Sequence, residues 1–296
     1  MKNIIRYYYG INIEEYKEKN EEIIFTSNGI TYEFVICDGN INLLMEVYTI
    51  LVAYHVYCHE IIVNKNNTIL TNYNNKNYVL IKKHIDNNDT VNLNNIYNYD
   101  ISVKTNQKLN WKVLWEKKLD YYEYQISELG LKYNKLRESF RYYSGLCECA
   151  ISLLNYVDYN NIRMGISHKR VNNDETINEF TNPLNIIIDN ITRDLASYIQ
   201  SSVMHGKTDV NEVTDFIKNI NLTSDEYILF MSRLIYPSYY FDIYDSIIQE
   251  KLDENAVDEV IKKNSSYELF LRKIYLFIKN KSNIPYIEWL HNSNYF

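Results

Sequence analysis

Residues 166–199 read ISHKRVNNDETINEFTNPLNIIIDNITRDLASYI, and their punctuation constrains the fold more than any other stretch of the chain. A polar loop headed by His168 gives way to a short apolar run, residues 184–188, that ends on Asp189. An apolar run of this length between polar turns reads as a buried strand. Arg193-Asp194-Leu195-Ala196 then opens a helix. Asp194 suits that place, because the free N–H groups and the macrodipole of a helix N-terminus stabilise a carboxylate. The fold must therefore pass from loop to strand to helix with a carboxylate at the junction.

The flanking sequence divides by periodicity. Residues 23–38 alternate apolar and polar side chains about Asn28-Gly29, which supplies the positive φ angles of a tight hairpin. Residues 41–57 carry apolar side chains at helical spacing, and 61–63, 68–72 and 78–82 are short β-rich runs broken by Asn-rich turns. Lys82 and Lys83 end the last of these as surface charges. Residues 87–108 are polar and lack a helical period. Beyond them Trp111, Leu114, Trp115, Leu119, Tyr122, Ile126 and Leu129 predict one core helix, with Trp111 and Trp115 buried, and 140–154 predict another. Further helices are predicted over 195–203, 211–220, 224–235, 239–251, 254–263 and 266–279.

A chain of 296 residues, 46% of them hydrophobic, buries enough surface for two lobes. Its formal net charge of -7 disfavours nucleic acid and anionic membranes as partners. No run of about 18 apolar residues predicts a membrane span, the N-terminus lacks the apolar stretch of a signal peptide, and four irregularly spaced cysteines suit a reducing compartment. These features predict a cytoplasmic protein. His55, Cys58 and His59 have the spacing of one helix face but too few companions for a zinc site.

The loop, strand and helix start resemble the catalytic segment of the aminoglycoside and choline kinase-like phosphotransferases. There a His-x-Asp-x4-Asn loop precedes a strand ending in a metal-binding Asp and an Asp-Leu-Ala helix start. On that resemblance His168 holds the first place and Asp189 the metal-ligand place, while Arg170 stands at the catalytic base and Glu175 at the Asn. Asp174 is a substitute carboxylate only if the register shifts. Arg193, Asp194, Trp111 and Trp115 are read as structural, the tryptophans from their apolar stripe and Asp194 from its place at the helix start, where the resemblance adds a role in bracing the loop. Neither the phosphate-covering glycine loop nor the strand lysine that pairs with the phosphates is evident.

Five blocks narrow the likeness: WKVLWEKKL from Trp111, FRYYSGLCECA from Phe140, SHKRV from Ser167, DNITRDLASYI from Asp189 and SRLIYPSYYF from Ser232. Together they resemble the YutH-type kinase-like spore coat proteins of Firmicutes, convincingly over about residues 110–245. The resemblance implies an α+β, two-lobed protein-kinase-like (aminoglycoside phosphotransferase-like) fold. Its parts would be a degenerate small N-lobe with an antiparallel sheet over 1–86, a connection over 87–108 and a mainly helical C-lobe over 109–296. It further implies a catalytically inactive scaffold or interaction module (a pseudokinase) made during sporulation and bound to spore coat proteins, with no cofactor. Two alternatives stay open: an ATP- and Mg-dependent small-molecule phosphotransferase with an unusual site, and an orphan interaction protein in a lineage that no longer sporulates.

Overall fold

The computed structural model describes residues 1–37, 39–84, 87–97, 101–104 and 110–292. Two compact units interleave along the chain, one formed by residues 1–95 and 166–188, the other by 96–165 and 189–296. Of the polar connection expected over 87–108, residues 98–100 and 105–108 lie outside the described residues.

The first unit contains α1 (Lys2–Tyr9), β1 (Tyr16–Lys19), β2 (Glu22–Ser27), β3 (Ile30–Ile36), α2 (Ile41–Ala53), β4 (Glu60–Ile62), β5 (Thr71–Tyr73) and β6 (Lys76–Lys82). The strands make one antiparallel sheet in the order β1-β2-β3-β6-β4, with β5 also paired to β6. Asn28 and Gly29 turn β2 into β3 with φ angles of 51° and 73°, as the dipeptide predicts. Both faces of the sheet are covered, which is why β6 is a continuous apolar run and not an alternating one. Tyr78 and Leu80 join Ile5 of α1 in one cluster; Val79 and Ile81 join Leu44 of α2 in the other. Partly buried Leu184, at the head of the apolar run, packs on that second cluster.

Helix α2 starts at Asn40, whose side chain accepts from the N–H groups of Asn42 and Leu43. It ends four residues earlier than its periodicity suggests. Tyr54 caps it and His55 takes φ 53°, so His55, Cys58 and His59 do not share a helix face. The reading of Lys83 as a surface charge is also corrected. Its ammonium lies 2.7 Å from Glu33 on β3, and the two side chains are only 13% and 15% exposed.

Helix α3 (Leu93–Tyr97) precedes the helical unit, whose first elements are α4 (Trp111–Leu129) and α5 (Asn134–Leu153). The central segment supplies β7 (Met164–His168), α6 (Ile177–Phe180) and β8 (Ile186–Asn190), with β7 and β8 forming a two-stranded sheet. Then follow α7 (Arg193–Met204), α8 (Val210–Asn219), α9 (Ser224–Ile235), α10 (Ser238–Ile248), α11 (Ala256–Ile261), α12 (Asn264–Lys279) and α13 (Glu288–His291). Stacked aromatic pairs hold this core: Trp115 on Tyr236, Tyr122 on Phe241, and Tyr143 on Tyr240 at 3.7 Å between centroids.

Pro237 breaks the chain between α9 and α10 and strands carbonyls that helix would otherwise satisfy. The buried amide of Gln200 donates to Leu234 O and Tyr236 O, and the Tyr267 hydroxyl adds a second bond to Leu234 O. Helix α9 is started by a reciprocal capping box between Thr223 and Glu226. Glu226 is fully buried because Arg163 grips it with Nε at 2.8 Å, Nη2 at 2.7 Å and its own backbone N–H at 2.9 Å.

Candidate functional site

The histidine loop belongs to the first unit and is bound there largely by backbone. His168 is 1% exposed, its ring stacks on Phe180 with centroids 3.9 Å apart, and its Nε2 lies 2.8 Å from Phe180 O. Capping of α6 by Thr176 and Glu179 fixes Phe180 for this contact. Val91 N–H donates to Glu175 O, Ile177 N–H to Asp89 O and Asn178 N–H to Asn87 O, so the loop lies along the chain that follows β6. His59 closes the other side: its N–H donates to Thr181 O, and its ring nitrogen Nε2 is 3.3 Å from Thr181 Oγ1.

Within this loop Val171 and Asn173 are buried, whereas Arg170 and Asp174 are exposed. Glu175 is half-buried. Burial pushes its carboxyl above the usual range, Glu179 and Asp174 add to the shift, and His168 opposes it.

In the second unit the residues gather around Asp189, which β8 carries at 1% exposure. One carboxylate oxygen accepts from Trp111 Nε1 at 2.9 Å, Asn190 N at 2.7 Å and Asn190 Nδ2 at 2.7 Å. The other accepts from Arg193 Nη1 at 2.6 Å and lies 3.7 Å from Arg233 Nη2. Thr192 holds the Asn190 amide in place by donating to its Oδ1 at 2.7 Å.

Both guanidinium groups lie over the Trp111 ring, Arg193 at 5.0 Å and Arg233 at 4.4 Å from its centroid, as cation–π partners do. Trp115, 5% exposed, lies 5.8 Å from Arg233 on the side towards the core. Burial pushes Arg233 down to about 10, against the pull of Asp189, so it remains a cation at neutral pH.

The structure thus brings Asp189, Arg193, Trp111 and Trp115 together. Trp111 is half-buried and not fully enclosed, because its indole forms the edge of the charge cluster and its N–H is committed to Asp189. Asp194 is buried in the first turn of α7, while the cap position falls to Thr192. Arg233 is the member that sequence reasoning missed. Its signal was a single arginine within Phe230-Met231-Ser232-Arg233-Leu234-Ile235, where every neighbour is buried. Such a charge needs a partner.

Residues 2–274 match the family described as "Spore coat putative kinase YutH". The chain belongs to this family. A relative, the endospore coat-associated protein YutH of Bacillus subtilis, is 26% identical over 219 residues, a match spanning 65% of each chain. The fold is that of aminoglycoside phosphotransferases. An aminoglycoside phosphotransferase from Alicyclobacillus acidocaldarius superposes with a TM-score of 0.68 at 11% identity, over 90% of this chain and 93% of that one. A spectinomycin phosphotransferase solved with ADP and spectinomycin gives 0.61 at 11% identity, over 94% and 97%. The two-lobed kinase-like architecture that the resemblance implies is therefore the architecture of the chain, with an antiparallel sheet in its N-terminal part and helices after it.

Proposed function

We propose that this chain is a catalytically inactive kinase-like protein that serves as a scaffold or interaction module in the spore coat. The observation that carries the reading is the engagement of Asp189. Magnesium demands near-octahedral oxygen ligands and usually keeps several waters, so a carboxylate that binds it must offer free lone pairs. Both oxygens of Asp189 already accept from the chain's own donors, and two arginines supply the positive charge. This donor set does not suit a magnesium ion. Arg170, a permanent cation, stands where the resemblance places the carboxylate that orients a substrate hydroxyl.

The coat assignment rests on the family and on the coat-associated relative. On this reading the protein is made in the cytoplasm and taken up by contacts with coat proteins. No helix among the described residues is long and apolar enough to cross a membrane.

Millimolar ATP with magnesium is expected to leave the melting temperature unchanged. A ligand at a hundredfold over its dissociation constant would stabilise the native state by about 2.7 kcal/mol, which a melt resolves. Arg170→Asp is expected to give no detectable ATP-dependent transfer to sugars, aminoglycosides or choline, because base, metal and phosphate positioning act as a unit. Turnover by either protein, or an ATP-dependent shift, would favour the small-molecule phosphotransferase instead. A fluorescent fusion in the host should concentrate at the developing spore surface. Fluorescence that stays diffuse through sporulation would favour an interaction protein with no coat role.

A further inference from the structure

Helix α4 has two apolar faces, and only one is used. Trp115, Leu119 and Tyr122 are buried in the helical unit. On the opposite side Leu114 is 44% exposed, Tyr121 55%, Tyr124 67% and, in the turn two residues past the helix, Leu131 85%. Leu114 was expected in the buried stripe; its exposure places it with the second set. At 100° per residue Leu114, Lys117, Tyr121, Tyr124 and Glu128 fall within a sector about 80° wide, centred roughly opposite the buried face. Lys117 and Glu128 are exposed as well. An apolar helix face of this kind marks an interaction site when something complementary exists to cover it.

The charge pattern of α4 identifies the cover. Its first eight residues, WKVLWEKK, carry three lysines and one glutamate; its last eleven, LDYYEYQISEL, carry one aspartate and two glutamates and no base. A helix with a basic first half and an acidic second half is complementary to itself when run antiparallel, and an antiparallel pair of like helices is the contact of a two-fold dimer.

One register satisfies every side chain in the stripe. With positions that sum to 245 placed opposite, Lys117 meets Glu128 and Tyr121 meets Tyr124, each pair occurring twice about the axis, and Leu114 falls towards the partner's turn that carries Leu131. We infer that the exposed face of α4 is a homodimer interface, in which two copies of this chain pack α4 against α4 antiparallel in this register. A single helix pair lies at the small end of specific interfaces, so the dissociation constant is expected in the micromolar range. The inference stands on α4 alone and is independent of whether the chain binds ATP or enters the coat.

Sedimentation equilibrium of the full chain between about 1 and 200 µM tests it. The parent protein should pass from monomer to dimer across that range. Lys117→Glu and Glu128→Lys, each of which sets like charges opposite one another twice per dimer, should each weaken dimerisation by about tenfold or more. The double variant K117E/E128K should regain the parent's affinity, and an equimolar mixture of the two single variants should form a heterodimer. Tyr121→Ser should weaken dimerisation whatever the charges. All these side chains are exposed, so the variants should melt with the parent's monomer. A parent that stays monomeric at 200 µM overturns the inference. So does a dimer indifferent to K117E and Y121S, or a double variant that fails to recover.

Discussion

Replacing Asp189 by asparagine separates two roles of one carboxylate. A carboxylate kept for a metal sits uncompensated in the empty protein, and its neutralisation tends to raise stability. A carboxylate that neutralises buried arginines does the reverse. The substituted amide could still accept from Trp111 Nε1 and Asn190 N, so those two bonds survive in part. What is lost is the charge facing Arg193 at 2.6 Å and Arg233 at 3.7 Å. Arg193 is 18% exposed and can turn towards water, but Arg233 is 10% exposed within α9 and cannot. Removing one partner of a buried pair costs about 3–5 kcal/mol. The partial rescue of Arg193 puts Asp189→Asn near the lower end, about 3 kcal/mol, or a fall of roughly 6–12 °C in melting temperature for a protein of this size. Adding Arg233→Met should recover part of the loss, since it removes the more deeply buried of the two cations that Asp189 faces. Thermal melts followed by tryptophan fluorescence measure all three proteins. An Asp189→Asn protein as stable as the parent, or more so, would refute the account of Asp189 as an internal counter-ion.

Trp115→Ala should cost about 3–5 kcal/mol, read by urea denaturation, because the indole is 5% exposed and stacks on Tyr236 at 4.3 Å. Burial pushes the Glu226 carboxyl up, but the bonds from Arg163 and Thr223 outweigh it and leave the group below the usual carboxylate range. Its stabilisation is therefore fully present above the unfolded value of about 4.3 and is lost as pH falls through the lower folded value. Glu226→Gln should melt well below the parent at pH 7, with the gap closing towards pH 3. Gly165→Ala should destabilise, since a Cβ there would lie 2.7 Å from Ile191 Cγ2 and 2.8 Å from the Ile101 carbonyl oxygen. A melting temperature within a degree of the parent's would show that the neighbours yield.

What could be read from the sequence was whatever a local period or a fixed spacing encodes. The hairpin at Asn28-Gly29 and the strand leading to Asp189 have such signatures. Helix α1 has one that went unread, with Ile4, Ile5, Tyr8 and Tyr9 at helical spacing before Gly10, whereas strand β1 has none, all four of its residues being exposed. Strand β1 exists because the sheet needs an edge, which is tertiary information. The early end of α2 was hidden for a related reason, since Tyr54, His55 and Tyr57 continue the apolar period while the backbone has already turned. In the candidate site, His168 and Asp189 were found by spacing. Arg233 lies 44 residues beyond Asp189, and no local pattern joins them; only the packing of α9 does.

That partnership bears on how such a site changes. Arg233 is buried and needs an anion, and Asp189 supplies it together with acceptors for Trp111, Asn190 and Arg193. Loss of Arg233 alone would leave Arg193 to balance the carboxylate, whereas loss of Asp189 alone would leave two cations beside each other without the carboxylate that both face. The couplings make Asp189 the costliest member of the cluster to remove, and they do so without any nucleotide. Position 170 differs, because it lies on the exposed surface of the loop and accepts a basic side chain without disturbing the buried anchors His168 and Val171. Packing alone therefore accounts for a buried carboxylate at Asp189. Its presence in a kinase-like fold is no evidence of phosphoryl transfer until the arginines beside it have been accounted for.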